Sequence, residues 1–274
     1  MVPADRAAPA APADAGAVRS EPMELVRPEF VPDPDDDRKA MEAVQRAVAD
    51  AATFDDDHAF DPETLPGGEF GEAAPVIAGI DQAFLDDRAV SAVVARRGGE
   101  TIERVGAVEP LSIPYVPGLL SFREGGPILA AVQKLSVEPD LLVFDGSGRI
   151  HFREAGLATH LGVVLDCPSV GVAKSLLCGT PDGAVADLPA GERVPIRADD
   201  DVTASEGTLI GHAVQTRQYD SPNRSINPLY VSPGHRVSAA TAATVAARCA
   251  TEYKLPEPTR LADNYAAELK RECA

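Results

Sequence analysis

The sequence lacks the paired cysteines of a zinc finger or of a disulfide-rich secreted domain. Its four cysteines form no Cys-X-X-Cys pair, and no histidine lies at zinc-finger spacing from any of them. We therefore expect reduced thiols in a cytoplasmic protein. No apolar run approaches the roughly 18 residues of a membrane span, and the N-terminus lacks the basic-then-apolar order of a signal peptide. These absences predict a soluble intracellular protein with no membrane partner.

Positive charge is also scarce. The formal net charge is −18 at pH 7, and only five of the 25 basic residues are lysines. Proteins that bind phosphates usually carry a basic excess, so this balance is typical of an acidic protein that never meets nucleic acid. The alternative is a halophilic surface in a salt-rich cytoplasm, where screening cuts the reach of charge repulsion to about 3 Å at 1 M salt. Aspartate runs at 35–37, 55–57 and 199–201 favour the halophilic interpretation.

The length and composition allow one substantial folded domain. The chain has 274 residues and 45% hydrophobic content, which is enough for a real core. Residues 1–34 are rich in Ala, Pro and Asp with little to bury, so we predict a flexible acidic tail there and a single domain at 35–274. Apolar residues at 3, 4 and 7 spacings predict a first helix capped by Asp35 or Asp36. A Pro-, Gly- and Asp-rich link at 54–74 follows.

From residue 75 onward the pattern predicts an α/β domain. Three β-rich runs separated by polar turns indicate an antiparallel meander, and the alternation of helix and strand that follows requires parallel crossovers. The predicted order is βββαβαβ, a mixed central sheet with three antiparallel strands and then parallel strands, flanked by helices. The predicted strands lie at 75–84, 89–97, 101–108, 140–144, 169–173, 208–216 and 229–232, and the later helices at 121–135, 154–165, 238–251 and 257–270.

Three acids lie at or near the ends of apolar runs, and each also has a purely structural interpretation. Asp81 interrupts an apolar strand, where a charge needs a cation or a donor, although it would also suit a fraying strand end. Glu124 follows Ser121 by three residues, the spacing of a capping box. Asp145 precedes Gly146, as in a turn, but ligands of α/β sheets collect at the carboxyl ends of strands. If the three acids meet, they can hold the divalent cations that cut phosphodiesters.

Three further residues are candidates for contacts with a phosphate or a base. Lys174 lies at the end of a predicted strand, and its alternative is an ordinary surface lysine. His235 precedes a predicted helix, and a lone histidine is more often structural than catalytic. Tyr115 lies between Pro114 and Pro117, whose fixed φ stiffens the loop, so the ring could point outward to stack on or wedge between bases. The alternative is a tyrosine that covers the edge of the core.

Five strings of the sequence resemble the endonuclease V family of deoxyinosine-specific nucleases. The resemblance covers about residues 75–245 and implies a ribonuclease H-like fold, which agrees with the order predicted from periodicity. The chain departs from the family pattern at Gln82 and at 151–154, where Glu154 adds an acid near the DNA. The strings, in order, are AGIDQAF (78–84), PYVPGLLSFRE (114–124), PDLLVFDGSG (139–148), GLATHLGVVLDCPSVGVAKSLLCG (156–179) and NPLYVSPGHRVS (227–238).

The resemblance implies a metal-dependent endodeoxyribonuclease with no organic cofactor. Asp81, Glu124 and Asp145 would hold Mg²⁺, with Mn²⁺ as a substitute. Lys174 would hold the cleaved phosphate, and His235 would lie near the second metal or the attacking water. The partner would be DNA that contains deoxyinosine, cut at the second phosphodiester on the 3′ side of the lesion to leave 3′-hydroxyl and 5′-phosphate ends. We expect a monomer.

The resemblance also implies a lesion-binding part that is separate from the metals. Tyr115 would be the tip of a wedge that fills the gap left by a flipped-out hypoxanthine, and Asp140 matches a family position near the site. Two alternatives stay open: a nuclease of the same fold that acts on inosine-containing RNA, and a non-catalytic nucleic-acid-binding module. The other residues implied in DNA or lesion binding are Pro114, Pro117, Gly118, Leu120, Arg123, Gly146, His151 and Gly171.

Overall fold

The computed structural model describes residues 23–65, 74–220 and 225–273 of the chain. Within these ranges the chain forms one mixed β-sheet with helices on both faces. The strands are β1 (Val76–Leu85), β2 (Arg88–Arg97), β3 (Glu100–Pro110), β4 (Leu141–Asp145), β5 (Ser169–Ala173), β6 (Thr180–Pro181), β7 (Arg193–Arg197), β8 (Leu209–Val214) and β9 (Leu229–His235). The helices are α1 (Arg38–Ala51), α2 (Leu120–Val132), α3 (Leu157–Leu165), α4 (Ala239–Cys249) and α5 (Glu257–Cys273).

The strand order across the sheet is β3-β2-β1-β4-β5-β9-β8-β7-β6. The first three strands form an antiparallel meander, and β4 pairs in parallel with both β1 and β5. The predicted α/β class, with antiparallel strands followed by parallel ones, is confirmed. The central strands are buried on both faces, which explains the continuous apolar runs of β1 and β4.

Two apolar layers hold the helices on the sheet. On one face, Phe144 of β4 packs in a cluster with Leu161 of α3 and with residues of α2. On the other face, Val143 packs in a cluster with Val245 of α4, while α5 covers β1 and β2. α1 lies outside α3, where Val48 is fully buried. The helices cover the two faces of the sheet and leave a cavity at the carboxyl ends of β1, β4 and β5.

The predicted N-terminal helix is present as α1, but its start is shifted. Asp37, rather than Asp35 or Asp36, is the N-cap, because its carboxylate accepts a hydrogen bond from the Ala40 amide at 2.8 Å. All three aspartates have a suitable side chain for capping. Asp37 has the extended backbone typical of an N-cap, with ψ of 161°.

The N-terminal segment packs on the domain earlier than predicted. Residues 1–22 of the predicted tail lie outside the described residues, whereas residues 23–34 contact the core. Met23 is 6% exposed within the apolar cluster of α2 and α3, and the Phe30 carbonyl accepts a hydrogen bond from His160 Nε2 at 2.7 Å. Residues 23–34 therefore belong to the folded part. The division into one tail and one domain otherwise stays a prediction.

Two other regions differ from the sequence pattern. Glu154 has a φ of 52°, in the left-handed region, so α3 begins at Leu157 instead. β6 and β7 extend the far edge of the sheet where a loop was predicted. β6 has two residues and β7 contains Pro195, so neither shows the alternation typical of a strand. Residues 66–73 of the predicted link lie outside the described part.

All four cysteines are free, and Cys167, Cys178 and Cys249 are buried. Burial raises the pKa of Cys178 and of Cys249 to about 12, so these thiols stay protonated. Among the described residues, we find no helix with the length and apolarity needed to cross a bilayer.

The close packing of α5 on β1 can be tested at Gly79. An added Cβ there would overlap the backbone of Pro258 and Thr259 at the start of α5. We expect Gly79→Ala to lower the free energy of unfolding by about 1–3 kcal/mol, because backbone atoms cannot yield as a flexible side chain does. Urea denaturation measures this.

Gly126 of α2 provides the matched control, since a Cβ there meets nothing within 4 Å. Gly126→Ala should be neutral or stabilise the protein by up to about 1 kcal/mol, through helix propensity alone. A Gly79→Ala variant as stable as the wild type would contradict the close approach of α5 to β1.

Candidate active site

Asp81 and Asp145 lie side by side at the carboxyl edge of the sheet. β1 and β4 pair in parallel with Ile80 opposite Phe144, and the next residue of each strand is an aspartate. Asp81 is 9% exposed, and its Oδ1 accepts a hydrogen bond from the Gln82 amide at 2.7 Å. Parallel pairing alone therefore brings together two acids that are far apart in the sequence.

Glu124 approaches the same edge from α2. Arg123 Nη1 donates a hydrogen bond to Glu124 Oε1 at 3.0 Å, and the Arg123 guanidinium lies 4.7 Å from the centre of the Phe84 ring. The capping-box interpretation of Glu124 is wrong. Leu119 is the N-cap of α2, so Ser121 lies inside the helix and does not cap it.

Lys174 completes a set of four charged residues around one cavity. It follows β5, and its Nζ donates a hydrogen bond to Asp145 Oδ2 at 2.6 Å. Asp81, Glu124, Asp145 and Lys174 all line a cavity of about 320 Å³. The structure thus brings together the three predicted acids and the predicted lysine.

Burial and mutual repulsion perturb the titration of these acids. Burial, then the charge of Asp145, raises the pKa of Asp81 to about 8. Burial also raises the pKa of Glu124 to about 7, although Arg123 opposes the change. Burial lowers the pKa of Lys174, but the hydrogen bond and charge of Asp145 outweigh it, so that this pKa is raised overall. The protein alone therefore supplies too little positive charge to ionise both Asp81 and Glu124 fully near neutral pH.

The donor set fits a divalent cation. Among the described residues, no three His, Cys, Asp or Glu side chains lie close enough to hold a metal as placed, so binding would require the carboxylates to converge. Carboxylate oxygens are the ligands that Mg²⁺ and Mn²⁺ prefer. A cation in the cavity would also supply the charge that the buried carboxyls of Asp81 and Glu124 lack.

Asp263 of α5 belongs to the same electrostatic environment, and sequence analysis missed it. Its charge acts on both Asp81 and Lys174. The residues of α5 that face the sheet are buried, among them Thr259 and Ala262. Asp263 follows Ala262 and is four residues after Thr259, so it lies beside the buried stripe. This helical spacing is the sequence pattern that could have indicated Asp263, but it does not show which strand the helix covers.

His235 does not join these residues. β9 is antiparallel to β5, and its last residue, His235, pairs with Ser169 at the start of β5, whereas Lys174 follows the other end. His235 Nδ1 accepts from the Thr53 amide at 3.1 Å, and Nε2 donates to Asp166 Oδ1 at 3.0 Å. The position near a metal or the attacking water is therefore wrong, and His235 is a structural residue.

Asp140 is also remote from the cavity. It lies just before the first residue of β4, and its Oδ2 accepts a hydrogen bond from the Val76 amide at the start of β1. This is the amino edge of the parallel strands, at the opposite end from Asp145. The implied position near the site is therefore wrong for Asp140.

The loop before α2 carries the predicted wedge. Tyr115 is 64% exposed, and Pro114 and Pro117 are exposed beside it, so the interpretation of Tyr115 as a cover for the core edge is wrong. Gly118 at the base of this loop is buried, with φ of 80°. His151 is buried as well and contacts the Gly118 carbonyl through Nε2 at 3.1 Å.

Backbone forms part of the cavity and its surroundings. Gly146 and Leu120 line the cavity directly. Gly171 lies in β5, where an added Cβ would overlap the backbone of 146–148. Close packing of these main-chain segments leaves no room for a side chain at Gly171.

Paired aspartates at adjacent parallel strand ends, with a glutamate from a neighbouring helix, supply carboxylate oxygens of the kind that metal-dependent hydrolases use to hold divalent cations. The Endonuclease V family model matches residues 67–264. The chain therefore belongs to the endonuclease V family of nucleases. The endonuclease V of Natronomonas pharaonis is 60% identical over 248 residues, which cover 90% of this chain and 98% of that relative.

Solved structures confirm the predicted fold. The crystal structure of endonuclease V from Streptomyces avermitilis matches with a TM-score of 0.72 and 29% identity, over 90% of this chain and 97% of that one. Endonuclease V of Ciona intestinalis matches with a TM-score of 0.65 and 23% identity, over 86% and 98% of the two chains. The Ciona protein is in complex with a 24mer DNA containing an inosine followed by a ribo-adenosine.

The raised pKa of Asp81 predicts a pH-dependent stability in the metal-free protein. Between the ordinary value of 3.8 and about 8, the folded protein keeps a proton that the unfolded chain releases. The free energy of unfolding should therefore fall as pH rises through this window. Asp81→Asn removes the titrating group, so its stability advantage over the wild type should widen between pH 5 and pH 8.

Urea denaturation in EDTA measures this advantage at each pH. Asp50→Asn, at an exposed position of α1, is the control and should show a constant difference from the wild type. A difference for Asp81→Asn that stays constant with pH would contradict the raised pKa.

Proposed function

We propose that this chain is a DNA repair endonuclease that recognises deoxyinosine and hydrolyses the second phosphodiester on its 3′ side, leaving 3′-hydroxyl and 5′-phosphate ends. The observation that carries the proposal is that Asp81, Glu124 and Asp145 line one cavity together with Lys174. Membership of the family supports the nuclease class. The inosine-containing DNA bound by the Ciona relative supports inosine as the lesion.

The three acids would hold two Mg²⁺ ions, or Mn²⁺ in their place, whose charge would stabilise the attacking and leaving oxygens of the phosphodiester. Lys174 is bonded to Asp145 in the structure and half exposed. If Asp145 turned toward a cation, the Lys174 ammonium would be free to bind the cleaved phosphate. Arg123 would keep the Glu124 carboxylate oriented through its 3.0 Å hydrogen bond.

Tyr115 would recognise the lesion in a duplex by filling the gap left when the base is extruded. Its exposed ring and the two neighbouring prolines support this role. Inosine pairs weakly, so extruding it costs less free energy than extruding a normal base. The extruded hypoxanthine would enter a pocket built largely of backbone, to which Gly118, Gly146 and Gly171 would contribute.

The acidic surface remains compatible with DNA binding in salt. Glu154, the acid that departs from the family pattern, accepts a hydrogen bond from Arg149 Nε at 2.9 Å, so its charge is offset within its own loop. The remaining repulsion would be screened in a salt-rich cytoplasm. We therefore retain the halophilic, cytoplasmic setting as part of the proposal.

Asp145→Ala tests the catalytic role. We expect loss of nicking on a duplex with one deoxyinosine, with most of the binding retained, because Asp145 would hold the metal rather than the base. A gel assay with Mg²⁺, Mn²⁺ or EDTA measures nicking, and gel shift in Ca²⁺ measures binding. Riboinosine oligonucleotides in the same assay distinguish the RNA alternative.

Asp87→Ala, at an exposed position of the β1–β2 turn, is the matched control and should nick like the wild type. Full nicking by Asp145→Ala in Mn²⁺ would refute the assigned site. Wild-type nicking that is unaffected by EDTA would refute the metal dependence.

Tyr115→Ala tests the wedge. We expect a larger loss of affinity for deoxyinosine duplexes than for deoxyinosine single strands, because only a duplex has a stack to fill. Fluorescence anisotropy measures both affinities. Tyr253→Ala, which removes an exposed tyrosine just before α5, is the control. Equal losses on the two substrates would remove the wedge role from Tyr115.

A further inference from the structure

Helix α1 has a buried polar residue in the middle of its apolar face. The residues of α1 that are buried against the domain are Met41, Gln45 and Val48. Gln45 is fully buried, and burying an amide is unfavourable unless its donors and its acceptor find partners. α1 precedes the segment that the family model matches, and the partners of Gln45 lie in the loop that carries Tyr115 and in the loop after β4.

The nitrogen and the oxygen of the Gln45 side-chain amide both form hydrogen bonds. Its Nε2 donates to the Gly118 carbonyl at 2.8 Å, and its Oε1 accepts from Arg153 Nε at 2.7 Å. Arg153 Nη2 also donates to the Gly118 carbonyl, at 3.2 Å. Gln45 therefore joins α1 to two loops through one amide.

His151 supplies a third donor to the same carbonyl. Burial lowers the pKa of His151 to about 4, so the ring is neutral at physiological pH. Its Nδ1 accepts from the Arg153 amide at 3.2 Å, which leaves the ring proton on Nε2, the atom that donates to Gly118. The Gly118 carbonyl is thus held from three directions by side chains that are themselves fixed.

Apolar contacts fix the rest of the loop on α1. Ile113 and Val116 pack in a cluster with Met41 and Val44 of the helix. Pro114, Tyr115 and Pro117 are exposed, and Tyr115 is the most exposed of the described large apolar residues at 64%. The loop is therefore fastened at its base and along one side, while Tyr115 is largely exposed.

We infer that Gln45 is a positioning residue for lesion recognition: it holds the Gly118 carbonyl and so fixes the orientation in which Tyr115 enters a duplex. The inference rests on the proposed function, because it assigns the anchored loop the role of the wedge. An apolar residue in place of Gln45 would remove the acceptor of the Arg153 Nε hydrogen bond and one of the donors to the Gly118 carbonyl. Arg153 Nε would then lack a partner in a buried site, and the carbonyl would be held from one direction fewer. The loop would loosen without any change to Asp81, Glu124 or Asp145.

Gln45→Met tests this inference, since methionine has a similar volume and cannot form these hydrogen bonds. We expect the dissociation constant for a deoxyinosine duplex to rise about tenfold, the size of one lost hydrogen bond. The kcat on saturating single-stranded deoxyinosine should be unchanged. Ala43→Met, at an exposed position of the same helix, is the control and should leave both values unchanged.

A double-mutant cycle with Tyr115→Ala separates positioning from general stability. If Gln45 acts through Tyr115, the double variant should bind the duplex no more weakly than Tyr115→Ala alone. Additive losses, or an equal loss on single strands, would overturn the inference. All variants are assayed well below their measured melting temperatures, so that unfolding does not contribute.

Hydrogen exchange of the backbone amides of Tyr115, Val116, Gly118 and Leu119 gives a readout that does not depend on activity. Exchange should be faster in Gln45→Met than in Ala43→Met. If exchange in Gln45→Met is unchanged while the wild type nicks deoxyinosine DNA, the inference is overturned and the proposed function stays intact. A wild type that fails to nick deoxyinosine DNA would instead overturn the proposed function.

Discussion

The repulsion between carboxylates at the carboxyl edge of the sheet is the constraint on which the rest of the site depends. Parallel pairing of β1 and β4 places Asp81 and Asp145 side by side, and Glu124 adds a third acid. The surrounding structure offsets part of this charge, because Lys174 donates a hydrogen bond to Asp145 and Arg123 donates one to Glu124. The fold thus tolerates the acids without a metal while it retains a deficit of positive charge that a cation would fill.

Under the proposed function, cutting and lesion recognition would be supported by different parts of the fold. The acids lie on the central strands and on α2, which belong to the buried core. The exposed Tyr115 belongs to a loop that is held by α1 through Gln45 and Met41. Changes in one support would therefore leave the other largely untouched, so the proposed binding and chemistry would be separable.

The sequence predicted the parts of the structure that depend on local pattern. The order βββαβαβ follows from apolar periodicity, and Asp81, Glu124 and Asp145 mark the ends or faces of its elements. His235 was misplaced because its position depends on β9 running antiparallel to β5, which no local pattern records. Asp263 was missed for a related reason, since a helix acid shows its importance only when its strand partner is known. Ser121 and Glu124 have capping-box spacing, but a turn at 116–119 places the N-cap of α2 at Leu119, two residues before Ser121.

The close approach of α5 to Gly79 also has a consequence in time. α5 closes over β1 by backbone contact, and it brings the charge of Asp263 to Asp81. Translation makes the residues of β1 and β4 before those of α5, so a chain that has not reached residue 257 has both aspartates but not the helix that covers β1. The charge of Asp263 can act on Asp81 only after α5 has been made. The order of synthesis therefore sets the order in which the acids of this cavity are assembled.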